Sequence, residues 1–170
     1  VIIIFITLLL PLAIVWLIGG SGEGQSPIES GTVSVYVSEE DCVKDMDINE
    51  YLKCVVAAEM PADFEEEALK AQAVAARTYL YSHIAEKDKG NIAESHNGAA
   101  ICTDSTHCQA YISEDKRRES WGAGAEENWN KISTAVDETT GQIMTYNDEI
   151  ISAVFHSTSS GITESAVDVW

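Results

Sequence analysis

The chain has 170 residues, and its 28 acidic side chains against 10 Lys and Arg give a formal net charge of -18 at pH 7. Such an acidic surface repels phosphate and has few cations with which to displace counterions, which argues against a nucleic-acid-binding protein. With 45% hydrophobic and 22% charged residues, the composition is that of a folded protein and not of a disordered chain.

The first segment, residues 1–18, is an apolar run without an ionisable side chain. As a helix it would reach about 27 Å at ~1.5 Å per residue, which is close to the hydrocarbon thickness of a bilayer. We therefore predict a single transmembrane helix. The alternative is a cleaved signal peptide, whose apolar region is usually shorter and ends at a small-residue cleavage site. Residues 19–31, which follow, contain no Lys or Arg, and this absence of positive charge favours export of the rest of the chain across the membrane.

Residues 19–31 are rich in Gly and Ser and predict a flexible linker. Residues 32–170 are then predicted to form one α+β domain of mixed helices and strands. Its first element is a strand at Thr32–Val37, where β-branched residues alternate with period two. The last residues, ESAVDVW, end without a cap or a polar tail, so we expect the domain to be incomplete at its C-terminus.

Two consecutive helices are predicted after this strand. The first has Asp47 as N-cap with Glu50 three positions on, and it must stop before Pro61, which places Glu59 in its last turn. The second has Asp63 as its cap and acidic residues in its first turn, and it frays near Lys89. The remaining predicted elements are a long loop over residues 91–124, a helix through Trp129, Ile132 and Val136 that ends at Gly141, and two strands joined at Asn147 and Asp148.

Glu59 is a lone carboxylate between the apolar residues CVVAA and Met-Pro-Ala. Apolar surroundings and the partial negative charge of a helix C-terminus both favour the protonated acid. A carboxylic acid that keeps its proton near neutral pH can act as a general acid, as cleavage of a glycosidic bond requires. The alternative interpretation is structural, with Glu59 capping a loop or pairing with an Arg.

Residues 51–80, with the sequence YLKCVVAAEMPADFEEEALKAQAVAARTYL, resemble the signature segment of the stage II sporulation protein D family. These proteins are membrane-anchored lytic transglycosylases of endospore-forming bacteria, and related domains occur in amidase-enhancer proteins. A second segment, FHSTSSG at residues 155–161, also resembles the family. The resemblance implies that Glu59 is the catalytic residue of a peptidoglycan-cleaving domain.

The same resemblance implies a substrate and a setting. The substrate would be the β-1,4 bond between N-acetylmuramic acid and N-acetylglucosamine in peptidoglycan glycan strands. The protein would lie in the mother-cell membrane and face the septal wall during engulfment. Other engulfment proteins, including a wall amidase or endopeptidase, would be its partners.

A single carboxyl group suffices for the implied reaction. Two-carboxylate hydrolases need a second group, whereas in a lytic transglycosylase the C6 hydroxyl of the substrate attacks and leaves a 1,6-anhydro end. Two other functions remain open. One is a non-catalytic wall-binding module that enhances a separate amidase, with Glu59 structural, and the other is a zinc hydrolase.

Four further residues are candidates for substrate binding. Lys70 and Arg77 lie two turns apart on the second predicted helix, where they could bind the lactyl carboxylate of muramic acid or hold Glu59 in place. Alternatively, Lys70 pairs with Glu66 and Arg77 covers the helix surface. Ser157 and Ser159 follow a predicted strand, where their hydroxyls would line a sugar-binding edge or satisfy the backbone of a turn.

A potential metal site lies in the long loop, with the ligand pattern H-x5-C-x4-HC: His96, Cys102, His107 and Cys108. Two imidazoles and two thiolates suit tetrahedral zinc, but a Cys102–Cys108 disulfide with incidental histidines is the alternative. Some members of the family carry a structural zinc in a similar loop, so the resemblance implies one here and no cofactor for catalysis. The full ligand set leaves no open position, which argues against a zinc hydrolase. Cys42 and Cys54 either form a disulfide or leave Cys54 as a small buried side chain.

Overall fold

Strand β1 (Thr32–Val37) opens the part of the chain that the computed structural model describes, which comprises residues 31–165 and residue 168. It has the predicted bounds, and every second side chain of it is buried: Val33, Val35 and Val37. Successive side chains of a strand point to opposite faces, so the valines at every second position form the face of β1 that lies against the core. The predicted transmembrane segment, residues 1–18, lies outside the described residues. Within the described range, no helix has the length and apolar character needed to cross a bilayer.

A three-stranded sheet of order β2-β1-β3 is built around this strand. Strand β2 (Cys42–Asp47) runs antiparallel to β1, and β3 (Ile101–Cys102) joins the other side in parallel, with Tyr36 opposite Cys102. A parallel neighbour requires a long connection. The helices between β2 and β3 provide that connection, and they bring the predicted metal-binding loop back to the sheet.

Helix α1 (Ile48–Glu59) confirms the predicted capping. The Asp47 carboxylate accepts hydrogen bonds from the amides of Asn49 at 2.9 Å and Glu50 at 3.1 Å. At the other end Met60 is extended, with φ -132° and ψ 133°, as a residue before proline prefers. Glu59 is therefore the last residue of the helix, which agrees with its predicted place in the last turn.

Helix α2 (Glu66–Asp88) begins later than the sequence predicted. Asp63 is not its cap, because residues after Pro61 form a turn in which the Phe64 amide donates to the Pro61 carbonyl at 3.2 Å. Glu65 occupies the N-cap position instead, and its side chain makes no capping hydrogen bond. The predicted acidic first turn is present, and the helix ends next to the predicted position.

The region predicted to be one long loop contains regular structure. It includes a 3-10 turn at Glu94–His96, strand β3, helix α3 (Glu114–Trp121) and a second 3-10 turn at Gly122–Gly124. Helix α3 has no buried residue, so it lacks the apolar period by which helices are recognised in a sequence. The prediction of a structureless loop over residues 91–124 is wrong.

Helix α4 (Ala125–Glu138) confirms the helix predicted around Trp129, Ile132 and Val136, all of which are buried. A short hairpin follows, in which β4 (Thr145–Tyr146) pairs with β5 (Glu149–Ile150). Its two connecting residues, Asn147 and Asp148, have φ of 50° and 65°, as the predicted two-residue turn requires. The strands are only two residues long, and residues 151–165 contain no strand. The segment FHSTSSG therefore does not extend from a strand.

The hydrophobic core lies where α1, α2 and α4 pack together beside β1. Small residues on α2, including Ala73 and Ala76, are fully buried and let the neighbouring helices approach closely. This core fixes the C-terminal end of α1, where Glu59 lies.

Candidate functional site

Glu59 is half-buried, and its carboxylate is held by one backbone amide. Oε1 accepts a hydrogen bond of 2.8 Å from the amide of Ala110, 51 residues further along the chain. Oε2 has no hydrogen-bond partner among the residues that the structure describes. No described ion pair involves Glu59, so the interpretation that it pairs with an Arg is not supported, whereas it does cap a loop. One oxygen is thus fixed, and the other makes no hydrogen bond within the described residues.

Residues 108–112 lie along α1, and we call them the α1-facing segment. Besides the Ala110 bond, the Ile112 amide donates to the Cys54 carbonyl at 3.4 Å. The ring of Tyr111 stacks on that of Tyr51, with centroids 5.8 Å apart and planes at 16°. The segment therefore follows the last two turns of α1 to the carboxylate at its end.

The four predicted metal ligands come together in a cluster: His96, Cys102, His107 and Cys108. Their ligand atoms all lie within 4.8 Å of one another. His96 Nε2 is 3.1 Å from His107 Nδ1 and 3.2 Å from Cys108 Sγ, and Cys102 Sγ is 3.7 Å from His107 Nδ1. Zinc bonds of tetrahedral geometry would place such atoms about 3.3–3.8 Å apart. Both the donor set and the spacing therefore fit one zinc ion.

Rigid elements position this four-ligand cluster. His96 ends a 3-10 turn, followed by Asn97 in the left-handed conformation at φ 49°, and Cys102 belongs to β3. Asp104 begins the turn that carries the last two ligands, and its carbonyl closes this turn by accepting the Cys108 amide at 2.7 Å. The second ring nitrogen of His107 is 3.1 Å from Ser95 Oγ, a contact that orients the imidazole.

Burial acts differently on the two kinds of ligand. It lowers the pKa of His96, which keeps the imidazole in the neutral form that binds metals. It raises the pKa of Cys108 to about 12, so a metal must displace the thiol proton on binding. All four cysteines of the chain are free thiols in the structure, so neither the Cys102–Cys108 nor the Cys42–Cys54 disulfide is formed.

The sequence was compared with known proteins. A family model described as stage II sporulation protein matches residues 36–146, which include Glu59 and the whole four-ligand cluster. The chain belongs to the stage II sporulation protein D family. The description of the family links it to sporulation.

Individual relatives agree with this assignment. The chain is 38% identical over 146 residues to stage II sporulation protein D of Bacillus amyloliquefaciens, covering 86% of this chain and 40% of that protein. It is also 38% identical over 152 residues to the protein of that name in Bacillus subtilis (strain 168), covering 88% and 43%. An amidase enhancer of Bacillus subtilis (strain 168) is 36% identical over 119 residues, 70% of this chain and 13% of that protein. The chain thus spans less than half the length of these relatives.

The structure places Arg77 in the interior and not at a ligand site. It is 1% exposed, and its guanidinium donates to the carbonyls of Thr139 at 2.6 Å and Val136 at 2.9 Å. These contacts are internal, and they do not support the predicted substrate-binding role of this residue. Lys70 does lie on the same side of α2, but that side meets the C-terminal end of α4, where Lys70 pairs with Glu138 at 2.7 Å.

Lys70 remains partly exposed and also pairs with Glu66 at 2.8 Å, as the alternative interpretation of the sequence predicted. Ser157 and Ser159 are exposed, and no hydrogen bond of the described residues links either of them to Glu59. The Ser159 hydroxyl accepts the amide of Gly161 at 3.3 Å, which is a contact within a turn. For these three residues, substrate binding stays a prediction.

A cavity of about 830 Å³ lies beside the four-ligand cluster on the α2 side. His96 and His107 line it together with His83. The His83 ring contacts that of Tyr79, with centroids 4.3 Å apart and planes at 34°. Glu59 does not line this cavity. The cluster therefore has the cavity on one side and, through the α1-facing segment, Glu59 on the other.

Proposed function

We propose that this protein is a lytic transglycosylase that cleaves the bond between N-acetylmuramic acid and N-acetylglucosamine in peptidoglycan. The observation that carries the proposal is the state of Glu59, whose Oε1 is held by the Ala110 amide while Oε2 has no described partner. Membership of a sporulation family supports a substrate in the cell wall. Glu59 is the residue to which both proton transfers of the reaction are assigned.

The proposed reaction uses one carboxyl group twice. Glu59 as the acid gives its proton to the glycosidic oxygen as the bond from that oxygen to C1 of the muramoyl sugar breaks. The C6 hydroxyl oxygen of the same sugar then forms a bond to C1, and its proton returns to the Glu59 carboxylate. The products are a free 4-hydroxyl on one sugar and a 1,6-anhydro end on the other, and the enzyme is regenerated without water.

The test is the Glu59→Gln variant acting on purified glycan strands, with products identified by mass spectrometry. Gln keeps the shape of Glu but can neither donate nor accept the reacting proton. Loss of a positioned acid or base usually costs ~10²–10⁴-fold, and because both transfers use this group, we expect the upper part of that range.

Glu66→Gln is the matched control, because Glu66 is an exposed carboxylate in the first turn of α2. It should release anhydro products at nearly the normal rate. Anhydro products at the normal rate from Glu59→Gln, or only reducing-end sugars from the unmodified protein, would contradict the assignment.

We also propose that the four-ligand cluster holds a structural zinc. When bound, the ion would supply a cross-link between the 3-10 turn, strand β3 and the α1-facing segment. Four protein ligands complete a tetrahedral shell, so no position is left for an activated water. This arrangement supports a structural metal and not a zinc hydrolase.

A second candidate function is a wall-binding module that enhances a separate amidase. The observation in its favour is the 36% identity to an amidase enhancer. Under that function the protein would bind cell walls but release no anhydro sugars, and Glu59→Gln would leave wall binding and amidase stimulation intact. The glycan digestion therefore separates the two candidates.

The setting is also a proposal. Residues 1–18 would anchor the protein in the mother-cell membrane with its domain facing the septal wall. A wall amidase or endopeptidase of the engulfment machinery would act beside it, because both the glycan strands and the peptides of peptidoglycan must be cleaved to degrade the wall.

A further inference from the structure

The four-ligand cluster and Glu59 are connected by a very short stretch of chain. We infer that the cluster sets the orientation of the Glu59 carboxylate, and that the backbone amide of Ala110 is the positioning group through which it does so. The kinetic part of this inference rests on the proposed role of Glu59 as acid and base. The structural coupling between the cluster and the Glu59 carboxylate does not depend on that role.

The coupling begins at Cys108, which is both a cluster ligand and the first residue of the α1-facing segment. Ala110 follows two residues later and donates the 2.8 Å hydrogen bond to Glu59 Oε1. Two residues of chain span at most ~7 Å, so a displacement of Cys108 has almost no intervening chain in which to be absorbed. None of the four ligand residues forms a hydrogen bond with Glu59 among the described contacts, so the effect must pass through this backbone.

The residue between them provides no anchor of its own. Gln109 is 3% exposed, and neither Nε2 nor Oε1 of its side chain has a hydrogen-bond partner among the described residues. On the far side of Ala110, the Tyr111 ring stacks on Tyr51 and the Ile112 amide makes a 3.4 Å bond to Cys54, so that end of the segment is held separately. The start of the segment is thus secured by Cys108, through its amide bond to Asp104 and its place in the cluster.

The consequence concerns geometry at the carboxylate. Hydrogen bonds weaken steeply as they lengthen or bend, so a small movement of Ala110 would release Oε1. The Glu59 side chain could then rotate, and misplacement of a reacting group by about 1 Å can cost ~10²-fold in rate. Removing the metal should therefore slow the chemical step although the cluster has no catalytic position.

The first test follows the Ala110 amide directly by hydrogen exchange, measured by NMR on the full chain carrying zinc. Loss of one hydrogen bond is worth about tenfold in exchange rate. We expect the Ala110 amide to exchange at least that much faster after chelation, and equally so in the Glu59→Ala variant with zinc. The amide of Ile132 in α4 serves as the internal reference and should be unaffected in both samples.

The second test removes the donor. Ala110→Pro has no amide hydrogen, and we expect kcat to fall ~10–100-fold with KM and zinc content unchanged. Ala110→Ser keeps the hydrogen and should restore most of the rate. A normal kcat in a zinc-loaded Ala110→Pro protein would overturn the inference.

The exchange measurement decides the matter even if Ala110→Pro fails to fold. Unchanged protection of Ala110 after chelation would overturn the inference, and so would equal acceleration of Ala110 and Ile132, since the metal would then stabilise only the fold as a whole. If the unmodified protein releases no anhydro sugars, the proposed function fails. The exchange rate of the Ala110 amide still tests the structural coupling, because that measurement does not depend on activity.

Discussion

Arg77→Met tests whether this arginine is an internal support of the fold. The guanidinium is 1% exposed and has no carboxylate partner among the described ion pairs. It is stabilised by the carbonyls of Thr139 and Val136, at the C-terminal end of α4, where the partial negative charge of the helix takes the place of a counterion. Methionine keeps most of the aliphatic stem but cannot donate a hydrogen bond.

The expected loss follows from the hydrogen bonds that the guanidinium makes. Both carbonyls keep a second donor in the variant, because the Thr139 carbonyl also accepts the Gln142 amide at 3.0 Å and the Val136 carbonyl also accepts the Thr139 hydroxyl at 3.1 Å. The loss is therefore that of two charge-assisted hydrogen bonds, at about 1.5–3 kcal/mol each, less about 1 kcal/mol from the added apolar burial of Met. We therefore expect the free energy of unfolding to fall by about 2–5 kcal/mol, a large fraction of the ~5–15 kcal/mol typical of a domain. Arg77→Lys should recover only part of the loss, because one ammonium cannot reproduce the fork of the guanidinium.

Urea unfolding followed by circular dichroism measures this loss. Lys44→Met is the control, because Lys44 makes an exposed ion pair with Glu40 and its removal should barely move the midpoint. If Arg77→Met unfolds at the normal urea concentration yet no longer cleaves glycan, the residue acts on the substrate, and its role as an internal support is refuted.

Three further predictions concern the first helix, the metal and the membrane. Asp47→Ala removes the cap of α1 and should lower the free energy of unfolding by about 1 kcal/mol in the same urea assay, whereas an unchanged midpoint would mean that the cap is dispensable. Protein purified without added metal should contain about one zinc per chain by elemental analysis; a metal-free protein with a mapped Cys102–Cys108 disulfide would exclude the site. The mature protein should retain residues 1–18 and sediment with membranes, and a soluble form beginning near Gly20 would instead identify a signal peptide.

Features fixed by neighbouring residues were predictable from the sequence. The alternation in Thr32–Val37 identified β1, and the Asp47 cap with the Pro61 stop identified both ends of α1. The metal-ligand pattern is also local, and its four residues come together as predicted. The partners of Arg77 and Glu59 lie 62 and 51 residues away, and nothing in the local sequence specifies such contacts.

Helix α3 shows a different limit of sequence interpretation. With no buried residue it offers no apolar period, and it is supported on its surface by pairs such as Arg118 with Glu114 at 2.6 Å. End signals were nevertheless present. Ser113 precedes two acidic residues, and Gly122, with φ 55°, follows the last turn. Residue types typical of helix ends therefore identify exposed helices that hydrophobic periodicity misses, although the Ser113 side chain itself makes no capping hydrogen bond.

Strand β2 forms one outer edge of the three-stranded sheet, and within the described residues its far side is unpaired. An open edge of this kind can recruit a strand from another molecule and begin aggregation. The exposed carboxylates of Asp45 and Asp47 lie on this strand, and each chain carries a net charge of -18, so two copies repel one another as their edges approach. This protection is electrostatic. High salt or acid, which screens or neutralises the carboxylates, should therefore promote self-association before it unfolds the domain.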